Sequence, residues 1–285
     1  MKTAIITGCT NGIGKSGTFL LPKLGYGKLF LVARNLQKLQ DVSKELLEKF
    51  PNTETVIKVV DLSDFEAVAK VSKELKAETK STGIDLFLNN AGIGQGSKAL
   101  NKQGFEFHLA TNYLSQVILT EDLIENLNPD STTIFTSSEA YKGASIDFED
   151  INLEKSYSLF RAYGNSKAYQ IMYAKILRNK FANDPRKLHF EAIHPGFVKT
   201  GFGRSDSNFL LKALLFLGSP FMLTSDHSAE HNLLAPIYPK NKEFVGKYDI
   251  WSDGKAMNVK ANFVENESLE KLWKFTEKSV GEYVV

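Results

Sequence analysis

The chain of 285 residues holds a single cysteine, Cys9, so no disulfide can close within it. That excludes a small domain stapled by bridges and fits a reducing compartment. Charge of one sign is not in excess: 35 Lys and Arg face 33 Asp and Glu, and neither half is lopsided. An electrostatic nucleic-acid binder needs a clustered basic face, so nucleic acid is not an expected partner. No apolar run reaches the ~20 residues of a membrane span. The longest, Phe209–Leu223, is interrupted by Lys212 and by Gly218-Ser219-Pro220. Repeats, low-complexity tracts and Gly/Ser-rich linkers are lacking as well. An apolar segment opens at Thr3 and leaves no room for a signal peptide, so a cytoplasmic location is expected. His108, His189, His194, His227 and His231 have no metal-ligand spacing with Asp, Glu or Cys. They are read as structural or surface residues, and no metal is expected. What remains, 42% hydrophobic and 24% charged, is enough to bury a large core.

Short apolar runs alternate with longer amphipathic stretches. Thr3–Thr7, Lys28–Ala33, Thr55–Val60, Asp85–Asn89, Thr132–Thr136 and Leu188–Ile193 predict strands, with Val245–Trp251 a last one. Gly14–Leu24, Leu36–Phe50, Phe65–Lys80, a broken stretch Phe105–Leu127, Tyr163–Phe181 and a closing Glu267–Val280 predict helices. In Leu36–Phe50 the residues Leu39, Val42, Leu46 and Leu47 keep close to the 3.6 period. This alternation implies βαβ crossovers and a parallel sheet. No linker divides it. The expected fold is α/β, one doubly wound parallel sheet with helices on both faces, residues 1–285 forming a single domain. In such sheets ligands sit beyond the carboxyl ends of the strands, where each motif below falls.

The first strand runs into Gly8-Cys9-Thr10-Asn11-Gly12-Ile13-Gly14 and then a helix. Glycines let backbone N–H groups approach a pyrophosphate, and a helix N-terminus favours its charge. The spacing G-x-x-x-G-x-G differs from the commoner dinucleotide fingerprint, so its context, between a strand and a helix, carries the reading. At the end of strand two an Asp or Glu would bond a ribose 2′-hydroxyl, whereas an Arg accommodates a 2′-phosphate. The chain has Arg34 there and no carboxylate, which predicts NADP(H). Asp61-Leu62 after strand three reads either as an adenine contact or, through Asp61, as a helix cap, a task open also to Ser63 and Asp64. Asn89-Asn90-Ala91-Gly92 after strand four would line the cofactor. Cys9 is read as a filler within the loop.

Tyr163 and Lys167 are four apart on a helix and therefore share a face. A phenol ionises near pH ~10 and needs a neighbouring ammonium in a partly dry cleft to exchange protons near neutrality. The same spacing recurs at Tyr238 and Lys242, but Pro236 and Pro239 break the helix there. Ser137-Ser138 close strand five, where a hydroxyl can hydrogen-bond a substrate carbonyl oxygen; Ser138 is favoured and Ser137 is the alternative. Asn112 could anchor a water between Lys167 and solvent, or be structural.

In this order Thr7–Gly14, Asn89–Gly92, Asn112, Ser138, Tyr163–Lys167 and Pro195-Gly196 resemble the short-chain dehydrogenase/reductase family over nearly the whole chain. Ala33-Arg34-Asn35, Tyr163–Lys167, His194–Thr200 and Leu272-Trp273-Lys274 are similar to its retinol-dehydrogenase-like and WW-domain-oxidoreductase-like branch. The resemblance implies a Rossmann-type domain and a tetrad of Asn112, Ser138, Tyr163 and Lys167. It implies that Tyr163 exchanges the proton, that Lys167 also bonds the nicotinamide ribose, and that Pro195, Gly196, Val198 and Thr200 contact the cofactor. One departure is the separation of Ser138 and Tyr163 by 25 positions. The added segment Gly143–Ser158, with Asp147, Glu149, Asp150 and Glu154, is expected to rim the cleft.

Phe197–Leu223 falls where the family carries its substrate lid, and its Leu and Phe residues imply a lipophilic carbonyl or alcohol substrate. Core packing and a peripheral membrane contact through Phe209–Leu223 stay open as readings of that segment, as does a homodimer. The functional alternative is a non-catalytic NADP(H)-binding regulatory protein.

Overall fold

The computed structural model describes residues 1–94, 96–196 and 223–284. Val198, Thr200 and all of the expected lid except Leu223 lie outside the described residues. Eight strands form one sheet in the order β3-β2-β1-β4-β5-β6-β7-β8. They are β1 Lys2–Thr7, β2 Tyr26–Ala33, β3 Glu54–Val59, β4 Ile84–Asn89, β5 Leu127–Thr136, β6 His189–His194, β7 Ile250–Ser252 and β8 Lys255–Met257. The pairings from β3 across to β7 are parallel, and β8 joins β7 antiparallel. Strand order reverses between β1 and β4, which opens a crevice beyond their carboxyl ends.

Alternate residues of a strand face opposite sides of the sheet, and here the two sides differ in kind. Ile5, Phe30, Phe87, Phe135 and Phe190 face one side. There they meet Phe65 and Val68 of α3 (Phe65–Thr79), Val117 of α4 (Ser115–Leu123), Ile171 of α5 (Leu159–Lys180) and Leu272 of α6 (Asn266–Val280). Ala4, Ile6, Leu29, Leu31, Leu86, Leu88 and Ile134 face the other, against Leu39, Val42 and Leu46 of α2 (Leu36–Lys49) and Leu233. Phe19 and Leu20 of α1 (Gly12–Leu20) pack on that same cluster. Burial on both faces explains why the central strands read as continuous apolar runs rather than alternating ones. The doubly wound fold expected from the sequence is the fold observed.

Some boundaries differ for local reasons. The first helix stops at Leu20 because Pro22 cannot extend it; a 3-10 turn follows and ends at Gly25 with φ 85°. β5 starts five residues early, its half-buried Asn128 and exposed Pro129 and Asp130 giving no strand pattern. The last strand is a hairpin: Asp253 and Gly254, both at positive φ, turn β7 into β8.

Candidate active site

β1 ends at Thr7, whose hydroxyl accepts the N–H groups of Asn90 and Ala91, each at 3.0 Å. The Asn90 side chain returns the tie, donating to the carbonyls of Thr7 and Gly8 at 3.2 Å each. The ends of the two switch-point strands are thus sewn together. Gly8 has φ 68°, and a Cβ on Gly14 would lie 2.3 Å from both the Gly8 oxygen and Asn90 Nδ2. Only a bare backbone folds there. Asn11 caps α1 through Gly12 N–H at 2.8 Å, and the first turn carries no acidic side chain, so the positive end of the helix has no counter-charge of its own. Asn90 Oδ1 is buried with no hydrogen-bond partner among the described residues.

Arg34 stands exposed just past β2, beside Asn35, which caps α2 through Lys38 N–H at 2.9 Å. Asp61 is exposed and accepts both N–H and O–H of Ser63 at 2.9 and 2.8 Å, while Asp64 caps α3. The capping alternative for Asp61 is thereby ruled out. Leu62 is buried in the core beside Phe65.

α5 is capped by Ser158, which accepts the Arg161 N–H at 3.2 Å, and it therefore starts four residues before Tyr163. The middle of the helix is buried on most sides, yet carries the polar Asn165, Ser166, Lys167 and Gln170. Each is partnered. Asn165 accepts the Ser145 N–H at 2.8 Å, and Ser166 accepts from Asn112 Nδ2 at 3.0 Å. Lys167 Nζ lies 5.6 Å from the Tyr163 ring centroid and donates to Thr136 O at 2.8 Å and to Gln170 Oε1 at 3.1 Å. The half-buried Tyr163 phenol is hydrogen-bonded to the Ser138 side chain. Ser137, in contrast, is buried and its hydroxyl donates to Lys167 O at 2.8 Å. Of the two candidate serines, the geometry turns Ser138 to the phenol.

Burial raises the Tyr163 phenol to about 12, against a smaller lowering by the Ser138 hydrogen bond. Burial alone lowers the Lys167 amine to about 7. The phenol thus keeps its proton at neutral pH, while the amine sits where its charge is easily gained or lost.

Asn112 occupies a π-helical turn, Leu109–Leu114. Its amide donates to Ile93 O at 3.1 Å and to Ser166, and accepts Ile93 N–H at 2.8 Å. Both Nδ2 protons are so used, leaving one Oδ1 lone pair for a water. A Cβ on Gly92 would come within 3.3 Å of Lys167 Nζ and 3.4 Å of Asn112 Oδ1, so these groups converge on one flank of the crevice. Pro195 O accepts from Ser228 at 2.5 Å and Asn232 at 3.0 Å, and Gly196 has φ 80°.

Several features were not foreseen. His108 is buried, bonded to Glu106 Oε1 at 2.7 Å, with its ring edge-on to Tyr163 at 6.1 Å. Asp150 does not rim the cleft: it is buried and accepts the N–H of Glu154 at 2.7 Å, ordering its own loop. Gly164 lets α5 settle on the turn after Ser138, since a Cβ there would stand 2.8 Å from Ala140 O. Gly164→Ala is therefore expected to cost about 1–3 kcal/mol, as overpacking does, and to weaken the Ser138–Tyr163 contact; thermal unfolding together with kcat checks both. The second Tyr-x-x-x-Lys match runs into a 3-10 turn, Pro239–Phe244, so Tyr238 and Lys242 are not stacked on an α-helix. No group of three or more metal-ligating side chains and no helix able to cross a membrane occurs among the described residues.

The sequence model of the short chain dehydrogenase family matches residues 2–209. Human retinol dehydrogenase 12 is 29% identical over 98% of this chain and 86% of its own length. Mouse retinol dehydrogenase 13 is 27% identical over 98% and 84%. Among solved structures, an NADPH-bound carbonyl reductase from chicken fatty liver aligns with a TM-score of 0.64 at 22% identity, over 91% of this chain and 99% of that one. An alcohol dehydrogenase from Thermococcus sibiricus complexed with 5-hydroxy-NADP gives 0.62 at 22%, over 88% and 94%. With a family match over most of its length and the doubly wound sheet described above, the chain belongs to the short-chain dehydrogenase/reductase family, in its retinol-dehydrogenase-like branch, and is an oxidoreductase of alcohols and carbonyls.

Proposed function

We propose that the chain, as one domain spanning 1–285, interconverts lipophilic aldehydes or ketones and their alcohols using NADP(H). The observation that carries this reading is the Tyr163 phenol held by Ser138, with the Lys167 amine 5.6 Å from its ring, beside the glycine loop. The crevice fits a dinucleotide: a cradle that a Cβ at Gly14 would fill, a helix N-terminus with no acidic side chain in its first turn, and a buried Asn90 oxygen without a partner among the described residues.

In this reading Gly8, Asn11, Gly12, Ile13 and Gly14 hold the pyrophosphate, Asp61 and Leu62 the adenine, and Arg34 the 2′-phosphate. Asn90, Ala91 and Gly92 would line the nucleotide, Tyr163 and Lys167 would meet its nicotinamide ribose, and Pro195, Gly196, Val198 and Thr200 would contact the nicotinamide. A nicotinamide cofactor bound there would supply or take up the hydride of the substrate carbon. Ser138 and Tyr163 both hydrogen-bond the substrate oxygen, so charge developing on it meets two positioned donors. In reduction the Tyr163 O–H gives its proton to that oxygen, and the phenolate left behind is stabilised by the Lys167 ammonium. In oxidation the same groups run in reverse. Because the free phenol is raised to about 12, it enters reduction already protonated.

A lipophilic substrate is supported by the retinol-dehydrogenase relatives and by Phe160, 76% exposed and one helical turn before Tyr163. The Leu- and Phe-rich 197–223 segment, outside the described residues but for Leu223, is assigned the lid in this proposal. Arg34→Ala is expected to raise KM for NADPH about 10–100-fold, the worth of a charge-assisted hydrogen bond, and to leave KM for NADH nearly unchanged. Steady-state kinetics with both cofactors tests it; an unaltered preference would remove Arg34 from the proposal.

A further inference from the structure

Lys167 is buried, and apart from Thr136 O its amine has one hydrogen-bond acceptor among the described residues, Gln170 Oε1. Gln170 is in turn met by Gln116, and both amides are fully buried. Their orientations follow from the chain's fixed end. Ala91 O can only accept, so Gln116 must turn its NH2 toward it, at 3.0 Å. Gln116 Oε1 then accepts from Gln170 Nε2 at 2.8 Å, which leaves Gln170 Oε1 facing Lys167. With Gln170 flipped, oxygen would meet oxygen and NH2 would meet the amine, both mismatches fully buried.

We infer that Gln170, oriented by Gln116 from the Ala91 carbonyl, is a positioning residue that keeps an acceptor on Lys167 Nζ and so favours its ammonium form beside Tyr163. The inference deepens the proposed function and rests on it. Among the described residues the groups facing Lys167 are Tyr163 and Gln170 on its own helix, Thr136 O on β5, and Asn112 and Gly92 across the crevice. Among these Tyr163 is the other titratable group and none is a charged partner, and burial is the one cause that moves the amine. A lysine placed so, without a carboxylate, depends on neutral acceptors to hold its proton.

The test is NMR titration of lysine-labelled full-length protein, the Lys167 signal being assigned by its loss in Lys167→Arg. Gln170→Met keeps the length and removes the acceptor, and should lower the Lys167 midpoint by about one pH unit. Gln170→Glu should raise it, since a carboxylate favours the cation. Gln116→Met frees Gln170 to rotate and should lower it by less. The high-pH limb of kcat/KM should move in the same directions. A purely structural role predicts no opposed signs. If folded Gln170→Met and Gln170→Glu proteins titrate like wild type, the inference is overturned; if one does not fold, Gln116→Met decides on the same terms. The midpoint is read without turnover, so this result stands apart from Tyr163→Phe, which tests the reaction itself.

Discussion

Tyr163→Phe lowers kcat for carbonyl reduction by about 10²–10⁴-fold, the usual worth of a positioned general acid. The change removes one oxygen and little else. The ring keeps its edge-on packing with His108 and its place against Lys167, so the fold is expected to persist and NADPH affinity to fall far less than kcat. Ser138 retains the Ala140 N–H at 3.3 Å as a partner for its hydroxyl oxygen. Steady-state NADPH consumption with a lipophilic aldehyde, set beside a fluorescence measurement of NADPH binding, separates loss of chemistry from loss of binding. An unchanged kcat would place the proton transfer elsewhere.

Lys167→Met abolishes the same turnover and in addition alters stability in a pH-dependent way. In the folded chain burial lowers the amine from 10.5 to about 7. Between these pH values the unfolded chain binds a proton that the folded chain does not. Wild-type stability therefore rises by about 1.4 kcal/mol per pH unit through that window, and is lost again as pH falls toward 7. Methionine removes this dependence. Its buried neighbours Thr136 O and Gln170 Oε1 lose a donor, at about 1–3 kcal/mol each, at every pH. The two effects are of similar size near neutrality, so the net sign at pH 7 is not the informative quantity. The slope is: relative to wild type, the variant should be best at pH 6 and lose ground steadily up to pH 10. Denaturant unfolding across that range reads it. Parallel curves would mean that Lys167 keeps its ordinary pKa in the folded chain.

The sheet was legible because buried parallel strands leave unbroken apolar runs, and the crevice because Gly8, Gly12 and Gly14 mark a backbone that must come close to something. The same logic failed where structure is made by exposed residues. β8, Lys255–Met257, is a short edge strand with no apolar period, although Asp253-Gly254 beside it is a hairpin signal. The π-turn at Asn112 was visible as a break in a helical stretch, but periodicity cannot say which residue such a turn aims inward. Tyr163 and Lys167 stood out by their spacing. Gln116, Gln170 and Glu106 did not, because glutamine and glutamate on a helix or before one read as ordinary solvated residues until tertiary packing encloses them. Gly164 reads as a mild helix weakener; its reason, the Ala140 carbonyl, lies far away in the chain.

The most direct measurement follows the hydride itself. The enzyme is given NADPH deuterated at the transferable nicotinamide position together with a lipophilic aldehyde, and the alcohol is analysed by mass spectrometry. The account predicts one deuterium on the carbinol carbon, formed by wild type and about 10²–10⁴-fold more slowly by Tyr163→Phe. Tight NADPH binding with no labelled alcohol from any member of a broad carbonyl panel would contradict it and leave a nucleotide-binding protein without this chemistry.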